Sequence, residues 1–124
     1  MSPELDKQLC EKYPEIFANR HGDKMTTAMC WGFECGDGWY QIIDALCGCM
    51  QGYISANSKP QVVAVQVKEK FGTLRFYYDG GNDMTEGMVW LAEHLSAVTC
   101  EVCGAPGGLR GGGWLKTRCD DHAD

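Results

Sequence analysis

The chain has 124 residues, with 17 acidic and 11 basic side chains and a formal charge of −6. That length suits one compact domain with a small satellite unit and is too short for two full cores. The net charge opposes approach to nucleic-acid phosphates or an anionic membrane, and no run nears the roughly 18 consecutive apolar residues that span a bilayer.

The asymmetry is greatest at the start, where residues 1–57 carry −4 while 58–99 and 100–124 carry −1 each. No region is a basic patch. The opening Met1-Ser2-Pro3-Glu4 has no basic segment leading into an apolar run, so the expected setting is intracellular and reducing. Eight cysteines in such a setting point to metal rather than to disulfides. Without Cys100, Cys103 and Cys119, five remain, and an odd number cannot be fully paired within one chain.

In chain order, Ser2-Pro3-Glu4 is a helix start, with serine to accept from a free amide and proline at the first helical position. Leu5, Leu9, Tyr13 and Phe17 follow at four-residue spacing, which predicts a short helix interrupted near Pro14. From Gly38 to about Asn57 the pattern is strongly helical: Trp39, Ile42, Ile43, Leu46, Met50, Tyr53 and Ile54 form one stripe, Asp37 is placed to cap, and Lys59-Pro60 ends it. Residues 61–79 turn β-branched and aromatic, predicting strands near Val62–Lys68 and Thr73–Tyr78 around Phe71-Gly72. This hairpin is expected to bury Val63, Val65 and Leu74, or their alternates, against the helices. Asp83 and Glu86 resemble a capping box for a last helix with Met84, Met88, Leu91, Leu95 and Val98 on its inner face.

The tail carries the strongest chemical signal. Cys100-x2-Cys103, fifteen residues, then Cys119-x2-His122 is the spacing by which two chelating turns converge on one tetrahedral ion. Gly104 can take the positive φ that turns amides toward a thiolate, and Cys119 and His122 share a face if the end makes a helical turn. The fifteen residues between hold six glycines and cannot fold on their own apolar burial. One structural Zn2+ is the expected substitute, contributing on the order of 10 kcal/mol at neutral pH. Gly107–Arg110 and Trp114–Arg118 are expected to pair around Gly111-Gly112-Gly113, with Trp114 as the apolar anchor. Four protein ligands leave no open position for water, which excludes a hydrolytic centre. A redox Cys-x-x-Cys lacks its βαβ context, and a phosphate-binding glycine run lacks a following helix and a Gly-Lys-Ser/Thr.

Other candidates compete with plainer explanations. Cys47 and Cys49 point roughly 200° apart on a helix, so a second site from Cys30, Cys35, Cys47 and Cys49, or from His21 with three of them, yields to buried free thiols. In "WGFECGDGW", Trp31, Phe33, Glu34, Asp37 and Trp39 make a partner-binding loop, unless the aromatics pack under the following helix. Glu34 and Asp37 as paired catalytic carboxylates lack a neighbouring base, and His94 falls on the less apolar side of its helix. Lys68, Lys70 and Arg75 with Phe71, Phe76, Tyr77 and Tyr78 have the composition of a base-stacking surface, but that region carries more acid than base. Asp79–Asp83 lacks an acid or amide at the third position of a calcium loop.

Taken together, "WGFECGDGWYQIIDALC", "VVAVQVKEKFGTLRFYYDG" and "CEVCGAPGGLRGGGWLKTRCDDH" resemble a family of small proteins encoded by tailed phages and prophages, over about Trp31 to His122. The resemblance brings no catalytic residues. It implies a phage accessory protein of the bacterial cytoplasm, and such small acidic proteins are often inhibitors of host immunity or host enzymes.

The expected architecture is therefore α+β: two to three helices packed with a β-hairpin over residues 1–99, and a zinc ribbon over 100–124 packed on that core. The expected function is non-catalytic binding of a host protein or complex through the acidic, aromatic surface, as an anti-CRISPR-like inhibitor of a host defence complex. The alternative is a zinc-ribbon regulator touching nucleic-acid phosphates with Arg110, Lys116 and Arg118.

Overall fold

The structure, a computed structural model, describes residues 1–123, so Asp124 at the end of the expected tail module lies outside them. Helix α1 spans Pro3–Lys12, and the Ser2 hydroxyl accepts from the Leu5 amide as its cap. Helix α2 spans Tyr40–Asn57 and is preceded by a single 3-10 turn, Asp37–Trp39. Asp37 does not cap it; its carboxylate accepts from the Ser2 amide at 2.7 Å instead, tying α1 to α2. The predicted stripe is otherwise the buried one, with Ile43, Leu46, Cys47, Met50 and Ile54 inside. Ser58 closes the helix in the left-handed conformation, φ 52°, before Pro60 makes continuation impossible.

Strands β2 (Val63–Lys70) and β3 (Thr73–Asp79) form the predicted hairpin. A third strand, β1 (Phe33–Glu34), runs parallel to β2, giving the sheet order β1-β2-β3. Two residues are too few to show a period in sequence, so β1 was not predicted. The β2–β3 register shifts between Ala64 and Gln66, leaving Val65 as an extra residue. Such a bulge flips which side chains face inward. Val62 and Ala64 are buried before it and Val67 after it, while Val63 and Val65 are only half-buried. The expectation for Leu74 holds; that for Val63 and Val65 passes to their alternates.

Helix α3 spans Asp83–Ser96, and its capping box is formed one residue earlier than expected, by Asn82 and Thr85 rather than by Asp83 and Glu86. Its inner face also differs from the expected one. Thr85, Val89, Ala92 and Ser96 are buried, while Met84, Leu91, Leu95 and Val98 remain exposed. The reason lies in what α3 covers. Strand β3 is a sheet edge, and an uncovered edge leaves amides without partners. Ser96 Oγ accepts from the Leu74 amide at 2.8 Å, and Glu93 Oε2 accepts from the Phe76 amide at 3.0 Å. Polar groups on α3 thus face the sheet, and no buried side-chain nitrogen or oxygen among the described residues lacks a partner.

The core gathers Leu9, Ile16, Phe17, Met29, Trp39 and the inner faces of α2, β2 and β3. Strands β4 (Gly108–Arg110) and β5 (Lys116–Arg118) form the C-terminal ribbon in antiparallel register. Its anchor is not Trp114, which is exposed, but Thr117, fully buried with its hydroxyl donating to the Gly72 carbonyl at 2.6 Å. The tip of β2–β3 has positive φ at both central residues, Phe71 at 54° and Gly72 at 84°, the geometry of a type I′ turn that asparagine followed by glycine satisfies best. A phenylalanine in the left-handed region carries a steric cost of roughly 1–2 kcal/mol. We therefore expect Phe71→Asn to raise unfolding stability by about 1 kcal/mol, visible in urea denaturation as a higher midpoint with unchanged slope.

Candidate metal centre

The four predicted ligands converge. The sulfurs of Cys100, Cys103 and Cys119 and a ring nitrogen of His122 all lie within 4.8 Å of one another. Cys103 Sγ and Cys119 Sγ are 3.7 Å apart; His122 Nδ1 is 3.2 Å from Cys119 Sγ and 3.8 Å from Cys100 Sγ. A sulfur–sulfur bond is about 2.05 Å, so these are free thiols. Ligands held at about 2.0–2.3 Å on the corners of a tetrahedron are about 3.5–3.8 Å apart, so the residues fit a single metal ion.

Each chelating turn is built by local backbone chemistry. Gly104, at φ 80°, lets its amide donate back to the Cys100 carbonyl at 2.9 Å, closing the first turn. The second is a 3-10 turn, Asp120–His122, in which the His122 amide donates to the Cys119 carbonyl. Burial pushes the Cys100 thiol up, but the amides of Cys103, Cys119 and Val102 outweigh it and hold the thiol down to about 6. A thiol held below its ordinary 9.0 stabilises the folded state fully above that value, and the contribution is lost as pH falls through 6. The other cysteines differ. Burial pushes Cys35 up to about 12, raises Cys47 as well, and, with the neighbouring Asp6 carboxylate, pushes Cys10 up to about 11. Cys35 and Cys47 are the buried free thiols expected of a core, whereas Cys30 and Cys10 are only half-buried and Cys49, on the outer side of α2, is exposed. The Cys100 group is the only gathering of three or more potential ligands among the described residues, so His21, Cys30, Cys35, Cys47 and Cys49 form no second site.

The loop Trp31–Trp39 turns out to be the seat of this centre. The Gly38 amide donates to the Glu101 carbonyl at 2.8 Å, the Gly36 amide to Glu101 Oε2 at 2.9 Å, and the Trp39 indole to the Thr99 carbonyl at 2.9 Å. A Cβ at Gly38 would stand 2.1 Å from the Cys100 carbonyl oxygen, so only glycine permits this approach. Glu101 also receives Arg118 at 3.2 Å in a largely buried ion pair, which joins β5 to the same loop.

The expected partner-binding set is therefore divided. Phe33 and Trp39 belong to the core, Phe33 edge-on to Phe17 at 4.9 Å between ring centroids, and do not form a contact surface. Trp31, Glu34 and Asp37 stay exposed, Glu34 accepting from Gln66 Nε2 at 3.3 Å. Of the basic ribbon residues, Arg110 is held by Asp120 at 2.7 Å and Arg118 by Glu101, leaving Lys116. Sequence inspection missed Glu101 and Thr117 as the residues that dock the tail; neither lies in a periodic pattern. It also missed Phe71 and Trp114 as neighbours, since each sits at a turn tip 43 residues from the other and their proximity is purely tertiary. No family model, curated protein or solved structure matches the chain.

Two outcomes follow from this geometry. Protein purified under reducing conditions should carry one metal per chain by mass spectrometry of the elements, and chelation should add the three ligand thiols to those that react rapidly with a thiol reagent. Gly38→Ala should destabilise the protein by about 1–3 kcal/mol through overpacking and weaken metal retention in a chelator competition; unchanged retention would show that the seat does not support the centre.

Proposed function

We propose that this is a non-catalytic protein-binding module, stapled by Zn2+ and acting in the bacterial cytoplasm as a phage-encoded inhibitor of a host defence complex. Zinc is the metal favoured by the donor set: three thiolates and one imidazole at tetrahedral separations suit it better than harder cations. With four side-chain ligands the ion is enclosed and its role is to hold the tail.

The observation that carries the binding role is the pair of aromatics kept in water where the fold does not use them. Trp114 is 74% exposed and Phe71 is 67% exposed, on the tips of two different hairpins. They line one cleft of about 360 Å³ with Glu69, Lys70, Gly113 and Leu115. Phe71 keeps a left-handed backbone there although smaller residues fit it better, a strain of the kind that accompanies functional positions. Exposed aromatics that become buried against a partner dominate the energetics of protein interfaces, and the net charge of −6 favours a basic partner surface. The nucleic-acid alternative is weakened because Arg118 is held in a largely buried pair with Glu101, although Arg110, paired with an exposed Asp120, and Lys116 stay accessible.

Immobilised protein should capture a stoichiometric partner from a bacterial lysate. Trp114→Ala should weaken that capture at least tenfold, about 1.4 kcal/mol, without moving the denaturation midpoint. The proposal fails if nothing is captured, or if capture survives both Trp114→Ala and the double charge reversal Glu34→Arg, Asp37→Arg.

A further inference from the structure

The alternation of β2 and β3 sorts residues that their composition mixes. After the bulge, Gln66, Lys68 and Lys70 on β2 stand opposite Tyr77, Arg75 and Thr73 on β3, and because side chains alternate along a strand, these six share the outward face of the sheet. None of the six is buried. The residues between them point the other way: Val67, Leu74 and Phe76 are buried, and Glu69 turns its carboxylate back to the Gly72 amide at 2.7 Å. Lys68, Lys70 and Arg75 thus stand together without the acid that lies among them in sequence.

Lys68 and Arg75 are directly opposite in the register, and like charges so placed repel and destabilise a sheet. Among the described residues neither they nor Lys70 form an ion pair, whereas Lys7, Lys12, Arg20, Arg110 and Arg118 do. The surrounding carboxylates lie at the margins of the patch. Glu34, beside Lys68 on β1, accepts from Gln66 Nε2 at 3.3 Å. Asp79 is at the far end of β3, Glu93 is turned to the Phe76 amide at 3.0 Å, and Glu86 is in the first turn of α3. Exposed rings border the same patch. Tyr77 stands two residues, about 6.8 Å, beyond Arg75 on the same strand, and the exposed Trp90 lines a cleft of about 240 Å³ together with Thr73, Arg75, Glu93 and His94.

We propose that this outward face binds single-stranded nucleic acid, with Lys68, Lys70 and Arg75 meeting phosphates and Tyr77 and Trp90 stacking on unpaired bases. A polyanion supplies the counter-charge that the Lys68–Arg75 pair lacks within the chain. The rings choose among polyanions: an unpaired base gains by stacking on them, whereas an acidic peptide offers carboxylates alone and a duplex has its bases already stacked on one another. Cations two residues apart repeat at about 6.8 Å, a step close to that between phosphates of an extended single strand. The opposing acidity is greatest over residues 1–57, and exposed charges more than about 10 Å away are largely screened at about 0.1 M salt. Three phosphate contacts and two rings make a weak, sequence-tolerant contact, with a Kd of about 10⁻⁵ M at roughly 50 mM salt. Lys70 also lines the Phe71–Trp114 cleft, so Lys68, Arg75 and Tyr77 are the residues that test this face alone.

Fluorescence anisotropy of labelled DNA and RNA strands of about 16 nucleotides, titrated with the metal-loaded full chain, measures this directly. Binding should appear at about 50 mM salt, and its association constant should fall with salt at a log–log slope of about −2, from three phosphates at about 0.7 each. Lys68→Gln combined with Arg75→Gln should make that slope shallower by about 1.4 without lowering the urea midpoint, since a repulsive pair is removed. Tyr77→Ala should weaken binding about fivefold or more at unchanged slope, and Tyr77→Phe should restore it. No binding at about 50 mM salt with protein up to about 10⁻³ M overturns the proposal. So does binding of a duplex or of polyglutamate as tight as that of the single strand, or strand binding unchanged in both the double variant and Tyr77→Ala. Trp114→Ala should bind the strand as the unaltered chain does, so failure here leaves the capture of a protein partner standing, and failure of capture leaves this face standing.

Discussion

The close approach of two backbones at Gly38 and Cys100 is the constraint on which the rest of the molecule depends. At that point the loop leading into α2 and the first chelating turn touch carbonyl to Cα, with two amides of the loop donating to Glu101. The tail between the two chelating turns has little apolar surface to bury, so it cannot find its place by hydrophobic collapse. It is instead fixed at three kinds of contact: the metal-ligand cluster, the Glu101–Arg118 pair with its loop amides, and the Thr117 hydroxyl on Gly72. Each is directional, and together they give a glycine-rich ribbon one position on the core.

That arrangement changes what the aromatic residues mean. Trp39 looks like an interface residue by composition, yet its ring fills the core and its indole nitrogen holds the Thr99 carbonyl at the entry to the tail. Trp114 looks like the ribbon's anchor, yet it stands in water. The difference comes from neighbours: Trp39 opens a long amphipathic helix whose inner face needs a large side chain, whereas Trp114 follows three glycines that give it nothing to pack on. A buried threonine does the anchoring because the ribbon meets a turn carbonyl, a polar group that needs a donor.

The same polar bookkeeping accounts for α3. A helix laid along a sheet edge serves the edge best by supplying hydrogen-bond acceptors, and Ser96 and Glu93 do so. The apolar residues displaced from that duty are left outside, beside α2. An apolar ridge and a sheet-edge cover on one helix are thus two sides of one compromise.

The residue order alone determined the α+β class, the hairpin, the three helices and the four ligands, because each rests on local spacing: 3.6 for helices, alternation for strands, Cys-x2-Cys and Cys-x2-His for the centre. The Ser2 cap and the Gly104 turn were legible for the same reason, since they involve residues two to four apart. Tertiary structure alone decided the parallel β1, the bulge at Val65, the inner face of α3 and the division of the Trp31–Trp39 loop between core and surface. Those features depend on partners far along the chain, Gly36 with Glu101 across 65 positions and Thr117 with Gly72 across 45. Local periodicity shows that a side chain is apolar, but the side it faces is settled by which distant backbone groups still need a hydrogen bond.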